Sequence, residues 1–132
     1  MGFLKLGFEI GEIDFIVARA LTSSPTTQTS LEGEAVLLET IPEIIAKKVH
    51  HRGARIAPRD IFDIAAASET QANSIIKELR GYRDDAATAL AAIERQNPDF
   101  VNAAISQLLI RGPYLTIAKT ALKKAKKVLK AV

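Results

Sequence analysis

The pattern of apolar and polar positions changes character about a third of the way along the chain. Residues 3–10 alternate loosely between apolar and polar side chains, and residues 13–18 are apolar and rich in β-branched types. These two runs predict a hairpin of antiparallel strands. Residues 34–39 predict a third short strand, and the Ser/Thr-rich residues 22–30 predict a surface loop. Strands with no further partners leave exposed edges, so we expect a homo-oligomer through an exposed strand edge.

The rest of the sequence predicts helices. Thr40 and Glu43 have capping-box spacing, with proline in the first turn. Gly53 is expected to end this first helix, and Pro58 to open a second one that carries Asp60 in its first turn. Further helices are predicted at residues 69–80, 82–96, 98–110 and 114–130. The fold class is therefore α+β, with two or three short N-terminal antiparallel strands followed by a five- or six-helix bundle.

Composition narrows the class of protein. A chain of 132 residues with 48% hydrophobic and 25% charged residues is typical of one globular domain with a real core. It contains no cysteine, which excludes disulfides and thiolate metal sites and favours a reducing cytoplasmic location. No run of about 18 apolar residues occurs, so no membrane segment is expected.

Charge is distributed unevenly along the chain. Residues 111–132 hold seven of the 18 basic side chains and no acidic one, while residues 1–110 carry a net charge of −4. A basic C-terminal helix is typical either of a well-solvated surface or of a surface that binds anions. It supports an alternative hypothesis, a non-enzymatic helical module that binds a protein or RNA through this helix.

Two adjacent helices carry charges inside apolar stretches. Lys48 follows Glu43 by five residues, and its stem can cover apolar surface while its amine reaches a cleft. Asp63 lies among apolar neighbours, so a half-buried carboxylate there requires a partner such as Lys48 or Arg59. The alternatives are a surface lysine at position 48, a dipole-compensating Asp60 and a salt-bridged Asp63.

Asp14 interrupts an apolar strand in Glu-Ile-Asp-Phe-Ile-Val. Acids carried on strands in this way hold Mg²⁺ in phosphoryl and nucleotidyl transfer, although a strand near a solvent-exposed edge gives the same pattern.

Taken together, the motifs resemble a known family. A glutamate and a lysine five residues apart, followed by Arg59-Asp-x-x-Asp63 at the head of the next helix, resemble the nucleotidyltransferase-like toxins of abortive-infection systems, the AbiEii/AbiGii family of type IV toxin–antitoxin pairs. The resemblance is carried by residues 3–64, and the rest of the chain contributes a helical tail of compatible character. It implies that residues 1–39 are a remnant of a nucleotidyltransferase-type sheet and that residues 40–132 form the helical bundle with both motifs.

The same resemblance implies roles for three residues. Asp14 matches a metal-binding carboxylate, Lys48 the lysine that contacts nucleotide phosphates, and Asp63 the aspartate that orients that lysine or the acceptor. The family implies transfer of nucleotides from an NTP to an RNA acceptor such as tRNA, with Mg²⁺, under control of a separately encoded antitoxin.

One part of the family pattern is absent from this sequence. The chain contains no Gly-Ser dipeptide, and no Asp-x-Asp or Asp-x-Glu pair precedes Asp14. We therefore expect a truncated member that resembles the C-terminal part of the enzyme and does not catalyse transfer by itself.

Overall fold

The computed structural model describes residues 2–132, in which four strands precede all of the helices. The strands are β1 (Phe3–Phe8), β2 (Gly11–Ile16), β3 (Thr26–Leu31) and β4 (Glu34–Glu39). The helices are α1 (Ile41–Arg52), α2 (Pro58–Leu79), α3 (Arg83–Arg95), α4 (Pro98–Ser106) and α5 (Ala121–Lys130). Short 3₁₀ segments follow α1, α2 and α4, at Gly53–Arg55, Arg80–Tyr82 and Gly112–Lys119. The predicted α+β class, with short antiparallel strands before a helical bundle, is confirmed.

The strands form two separate antiparallel hairpins, β1 with β2 and β3 with β4. Strand β3 lies where a surface loop was predicted, so that prediction was wrong for residues 26–30. Threonine is β-branched and favours extended backbone, which outweighed the polar composition of the segment. The tight turn that follows has positive φ at Glu32 (51°) and Gly33 (86°), as a two-residue hairpin turn of type I′ requires.

The core lies entirely among the helices. Helix α2 packs against both α1 and α5, and α3 packs on the 3₁₀ turn after α1. Gly53 begins that turn, as predicted for the end of α1, and a side chain there would approach the carbonyl oxygen of Asp85 to 3.1 Å. The largest fully buried apolar side chains are Ile45, Val49, Ile61, Ile64, Ile75, Leu79, Ile93, Val101 and Ile105.

The helix boundaries differ from the predictions in three places. The helix predicted from residue 69 is continuous with α2, and the expected break is reduced to non-helical backbone at Gln71 (φ −132°, ψ 26°). Helix α4 ends at Ser106 rather than at residue 110. The predicted last helix is divided into a 3₁₀ segment and α5. None of the helices in residues 2–132 is long and apolar enough to cross a membrane.

Candidate functional site

Lys48 lies at the centre of an ion-pair network that joins α1 to the start of α2. Helix α1 buries Ile45, Ala46 and Val49, so Lys48 lies at the edge of its buried face, with 19% of its side chain exposed. Its Nζ is 3.0 Å from Asp60 Oδ1 and 2.9 Å from Asp63 Oδ2. One ammonium group therefore bridges two carboxylates that lie three residues apart on α2.

Asp60 is the buried anchor of this network. It is fully buried, and its Oδ2 accepts a hydrogen bond of 3.1 Å from the backbone amide of Ala57, which caps the N-terminus of α2. Arg52 adds a second cation 3.1 Å from Oδ1. Burial acts to raise the pKa of the Asp60 carboxyl, but Lys48, the Ala57 amide and Arg52 together hold that pKa below its usual value. Asp60 is thus ionised near neutral pH.

Asp63 is more accessible than Asp60, with 34% of its side chain exposed. Of the two partners considered from the sequence, the structure selects Lys48, and within residues 2–132 Arg59 forms no ion pair with Asp63. Asp63 also lines two surface depressions, one with Arg59 and Phe62 and the other with Ile44. It is therefore the carboxylate of the network that a ligand can reach.

Asp14 and Lys48 line the same cleft, which has a volume of about 450 Å³. Hairpin β1–β2 forms one wall with Asp14, Ile16 and the adjoining Ala18, and the remaining wall is largely cationic. The residues of that wall are Glu39, Lys47, Lys48, His51 and Arg52. The structure thus brings together the predicted metal-binding residue and the predicted phosphate-binding residue, which are 34 positions apart in the sequence.

The described residues do not form a complete metal site. Asp14 Oδ1 lies 3.6 Å from Lys5 Nζ, directly across the hairpin. Within residues 2–132, no group of three or more His, Cys, Asp or Glu side chains is placed to hold a metal ion. Mg²⁺ prefers six oxygen ligands in octahedral geometry, whereas the carboxylates that line this cleft are Asp14 and Glu39, each of which is paired with a lysine. The assignment of Asp14 as a metal ligand stays a prediction.

A second buried carboxylate, Glu43, holds the hairpins in place against α1. It is fully buried, and its oxygens accept hydrogen bonds from the amides of Leu21 (2.9 Å) and Thr22 (2.8 Å) and from the Thr22 hydroxyl (2.6 Å). Burial acts to raise the pKa of Glu43, but these hydrogen bonds and nearby Lys47 hold it below its usual value. Because residues 21 and 22 follow hairpin β1–β2, this contact helps to set the position of Asp14 relative to Lys48.

Sequence reasoning missed the burial of Asp60 and the participation of Arg52. The sequence predicts Asp60 as a charge that compensates the helix dipole. An exposed carboxylate can do the same, so this prediction says nothing about burial. The available signal was its position two residues after Pro58, where a carboxylate can reach back to the amide that precedes the helix. The partner of Glu43 lies 21 residues away, and no local pattern indicates it.

Comparisons with known proteins identify the family. Neither the curated proteins nor the solved structures include a match to the chain. A family model described as the nucleotidyl transferase AbiEii toxin of type IV toxin–antitoxin systems matches residues 5–127, which include most of hairpin β1–β2, all of hairpin β3–β4 and the whole Lys48 network. The match spans most of the 132 residues, so the chain belongs to the AbiEii family of nucleotidyl transferase toxins.

Proposed function

We propose that this protein contributes the nucleotide-handling part of a nucleotidyltransferase toxin, and that by itself it does not catalyse transfer. The observation that carries the proposal is the position of Lys48, whose Nζ is held by Asp60 and Asp63 at the border of the cleft that Asp14 also lines. Membership of a nucleotidyl transferase family supports a nucleoside triphosphate as the ligand.

In this proposal the two aspartates have different roles. Asp60 is buried and fixes the lysine, while the partly exposed Asp63 orients the amine or contacts the acceptor. When an NTP enters the cleft, its phosphate oxygens compete with Asp63 for the Lys48 ammonium, and Arg52, with 58% of its side chain exposed, provides a second cation. Asp60 keeps Lys48 in place throughout, because it lies out of reach of solvent.

The proposal includes Mg²⁺, an RNA acceptor such as tRNA, a cytoplasmic location and control by an antitoxin. The family supports an antitoxin partner, since its members are the toxins of toxin–antitoxin pairs. Bound Mg²⁺ would neutralise phosphate charge, and Asp14 is the residue of this chain that would contact it. With Asp14 as the only carboxylate proposed for the metal, we expect no nucleotide transfer by the isolated chain.

The test is an amide NMR titration of the chain with each NTP and Mg²⁺. We expect saturable shifts around Asp14, Lys48 and Asp63, and their loss in Lys48→Ala. Lys77→Ala, which removes an exposed lysine outside the network, is the matched control and should bind as the wild type does. Because Lys48→Ala also leaves buried Asp60 with fewer partners, Asp63→Asn provides a second variant and each protein is checked by circular dichroism. Shifts that persist unchanged in both folded variants would contradict the proposal.

The basic helix α5 supports a second candidate function, binding of RNA or an acidic protein surface. Lys123 and Lys127 lie four residues apart on α5, and Lys119 ends the 3₁₀ segment before it. All three are exposed and form no salt bridge within residues 2–132. Binding to phosphates through them should weaken steeply with salt and be insensitive to base sequence. RNA affinity that is unchanged in the double variant Lys123→Glu, Lys127→Glu would exclude this surface as the RNA-binding site. If the NTP titration of that variant is also unchanged from the wild type, NTP binding does not depend on this surface.

A further inference from the structure

Hairpin β1–β2 exposes one face that is entirely apolar. The register pairs Leu4 with Phe15 and Leu6 with Ile13, and these four side chains share a face with Phe8. Each is 39–58% exposed, although in folded proteins large apolar side chains are usually buried. We refer to these five residues as the apolar hairpin face.

The opposite face of the same hairpin carries Lys5, Glu12 and Asp14 beside the exposed Phe3 and Ile16, and part of it lines the cleft. Lys5 pairs there with Glu12 at 3.0 Å and with Asp14 at 3.6 Å. Asp14 and Ile16 line the cleft with Lys48, so this face is directed at the candidate site. The apolar hairpin face therefore points away from the nucleotide cleft, and covering it leaves the cleft open.

We propose that the apolar hairpin face is a dimer interface, on which the same face of a second copy packs. At about half exposure and roughly 200 Å² per large side chain, the five residues offer on the order of 500 Å² of apolar surface. Patches beyond a few hundred Å² usually mark an interaction site. Two such faces together bury on the order of 1,000 Å², which reaches the size at which specific interfaces begin.

The chemistry of the face favours a second copy over a different protein. It carries no charge, so packing against itself buries no unpaired ion, and the charged side chains Lys5, Glu12 and Asp14 lie on the other side of the hairpin. Gly11 lies directly opposite Phe8 on this face, and a side chain there would meet nothing within 4 Å, so this end of the face is open to a partner. A two-stranded hairpin is also marginal alone and gains stability from a covering layer.

Sedimentation velocity of the full chain from 1 to 200 μM tests the proposal. We expect a concentration-dependent monomer–dimer equilibrium in the wild type and at least a tenfold weaker association in Phe15→Lys. Phe3→Lys makes the same change at an exposed position on the opposite face and should associate as the wild type does. A wild type that stays monomeric over this range, or association lost only in Phe3→Lys, would overturn the proposal. Circular dichroism at 222 nm checks that the helical part is folded in both variants.

An engineered disulfide separates face packing from pairing of strand edges. The chain has no cysteine, so a single introduced thiol reports only its own environment. Ile13 is in the central row of the apolar hairpin face, near the expected two-fold axis, and Ile13→Cys should form an intermolecular disulfide rapidly under mild oxidation. Glu12→Cys, one residue away on the opposite face, should cross-link far more slowly. Equal rates for the two variants, or faster cross-linking at position 12, would contradict packing through this face.

Discussion

The helical part and the hairpins of this protein distribute charge and apolar surface in opposite ways. Among the helices, Glu43 and Asp60 are fully buried and the large aliphatic side chains form a continuous core. In hairpin β1–β2 the charges are exposed, and so are large apolar residues such as Phe8 and Phe15. The helical part therefore contains what it needs to fold, whereas the hairpins require either a partner or the hydrogen bonds that hold them to the helices.

Removal of a buried charge should reveal the largest difference between the two regions. Asp60→Ala leaves Lys48 without its buried partner and the Ala57 amide without an acceptor, so we expect a loss of about 4 kcal/mol of unfolding free energy. Asp14→Ala removes the same group from an exposed pair with Lys5, and its cost should not exceed about 1 kcal/mol. Urea unfolding followed by circular dichroism measures both values. Losses of equal size would mean that the Asp60 network is not a structural anchor.

The second comparison replaces one leucine by alanine in the helical part and one in hairpin β1–β2. Leu79 is fully buried at the end of α2, and Leu79→Ala should cost about 3 kcal/mol, from lost transfer free energy and the cavity that remains. Leu6→Ala changes a side chain that is 39% exposed in the monomer, and at low micromolar concentration it should cost less than about 1 kcal/mol. At high concentration the cost of Leu6→Ala should increase, because the dimer interface then contributes to stability. A large cost for Leu6→Ala at low concentration would show that the hairpin already packs on the core.

The order of strands and helices could be predicted from the sequence because local signals agreed with the fold. Thr40, Pro42 and Pro58 mark helix starts through capping and restricted φ, and these effects do not depend on distant residues. Strand β3 could not be predicted in the same way. Its threonines favour both loops and strands, and only its pairing with β4 decides between them.

The candidate site was predicted only in part, for a related reason. The family resemblance selected Lys48 and Asp63, which lie 2.9 Å apart in the structure, and their roles stay a prediction. The burial of Asp60 depends on how α1 crosses the start of α2, which the charge pattern alone does not specify. The contact between Glu43 and Thr22 likewise joins segments that no periodicity relates.

Replacement of Glu43 is expected to cost less than loss of the Asp60 network, and it tests whether buried charge connects the two regions. In Glu43→Gln an amide nitrogen replaces one of the two oxygens that accept from Leu21 and Thr22, so at least one of these hydrogen bonds is lost and we expect a loss of about 1–3 kcal/mol at pH 7. Proteolysis between residues 17 and 25 should also become faster, because this link to α1 is weakened. Glu39→Gln, at an exposed carboxylate, is the control and should change neither quantity by a comparable amount.

The pH dependence of the unfolding free energy tests whether the charge of Glu43 is responsible. The pKa of Glu43 is lower in the folded protein than its usual value of 4.5, so its ionised form stabilises the fold fully above about pH 4.5. That stabilisation is lost as the pH falls through the lower pKa of the folded state. The difference in unfolding free energy between the wild type and Glu43→Gln should therefore shrink as the pH falls below about 4.5, while Asp60, present in both proteins, contributes equally and cancels. A difference that stays constant over this range would mean that the charge of Glu43 does not hold the hairpins to the helices, and that the shape of its side chain alone matters.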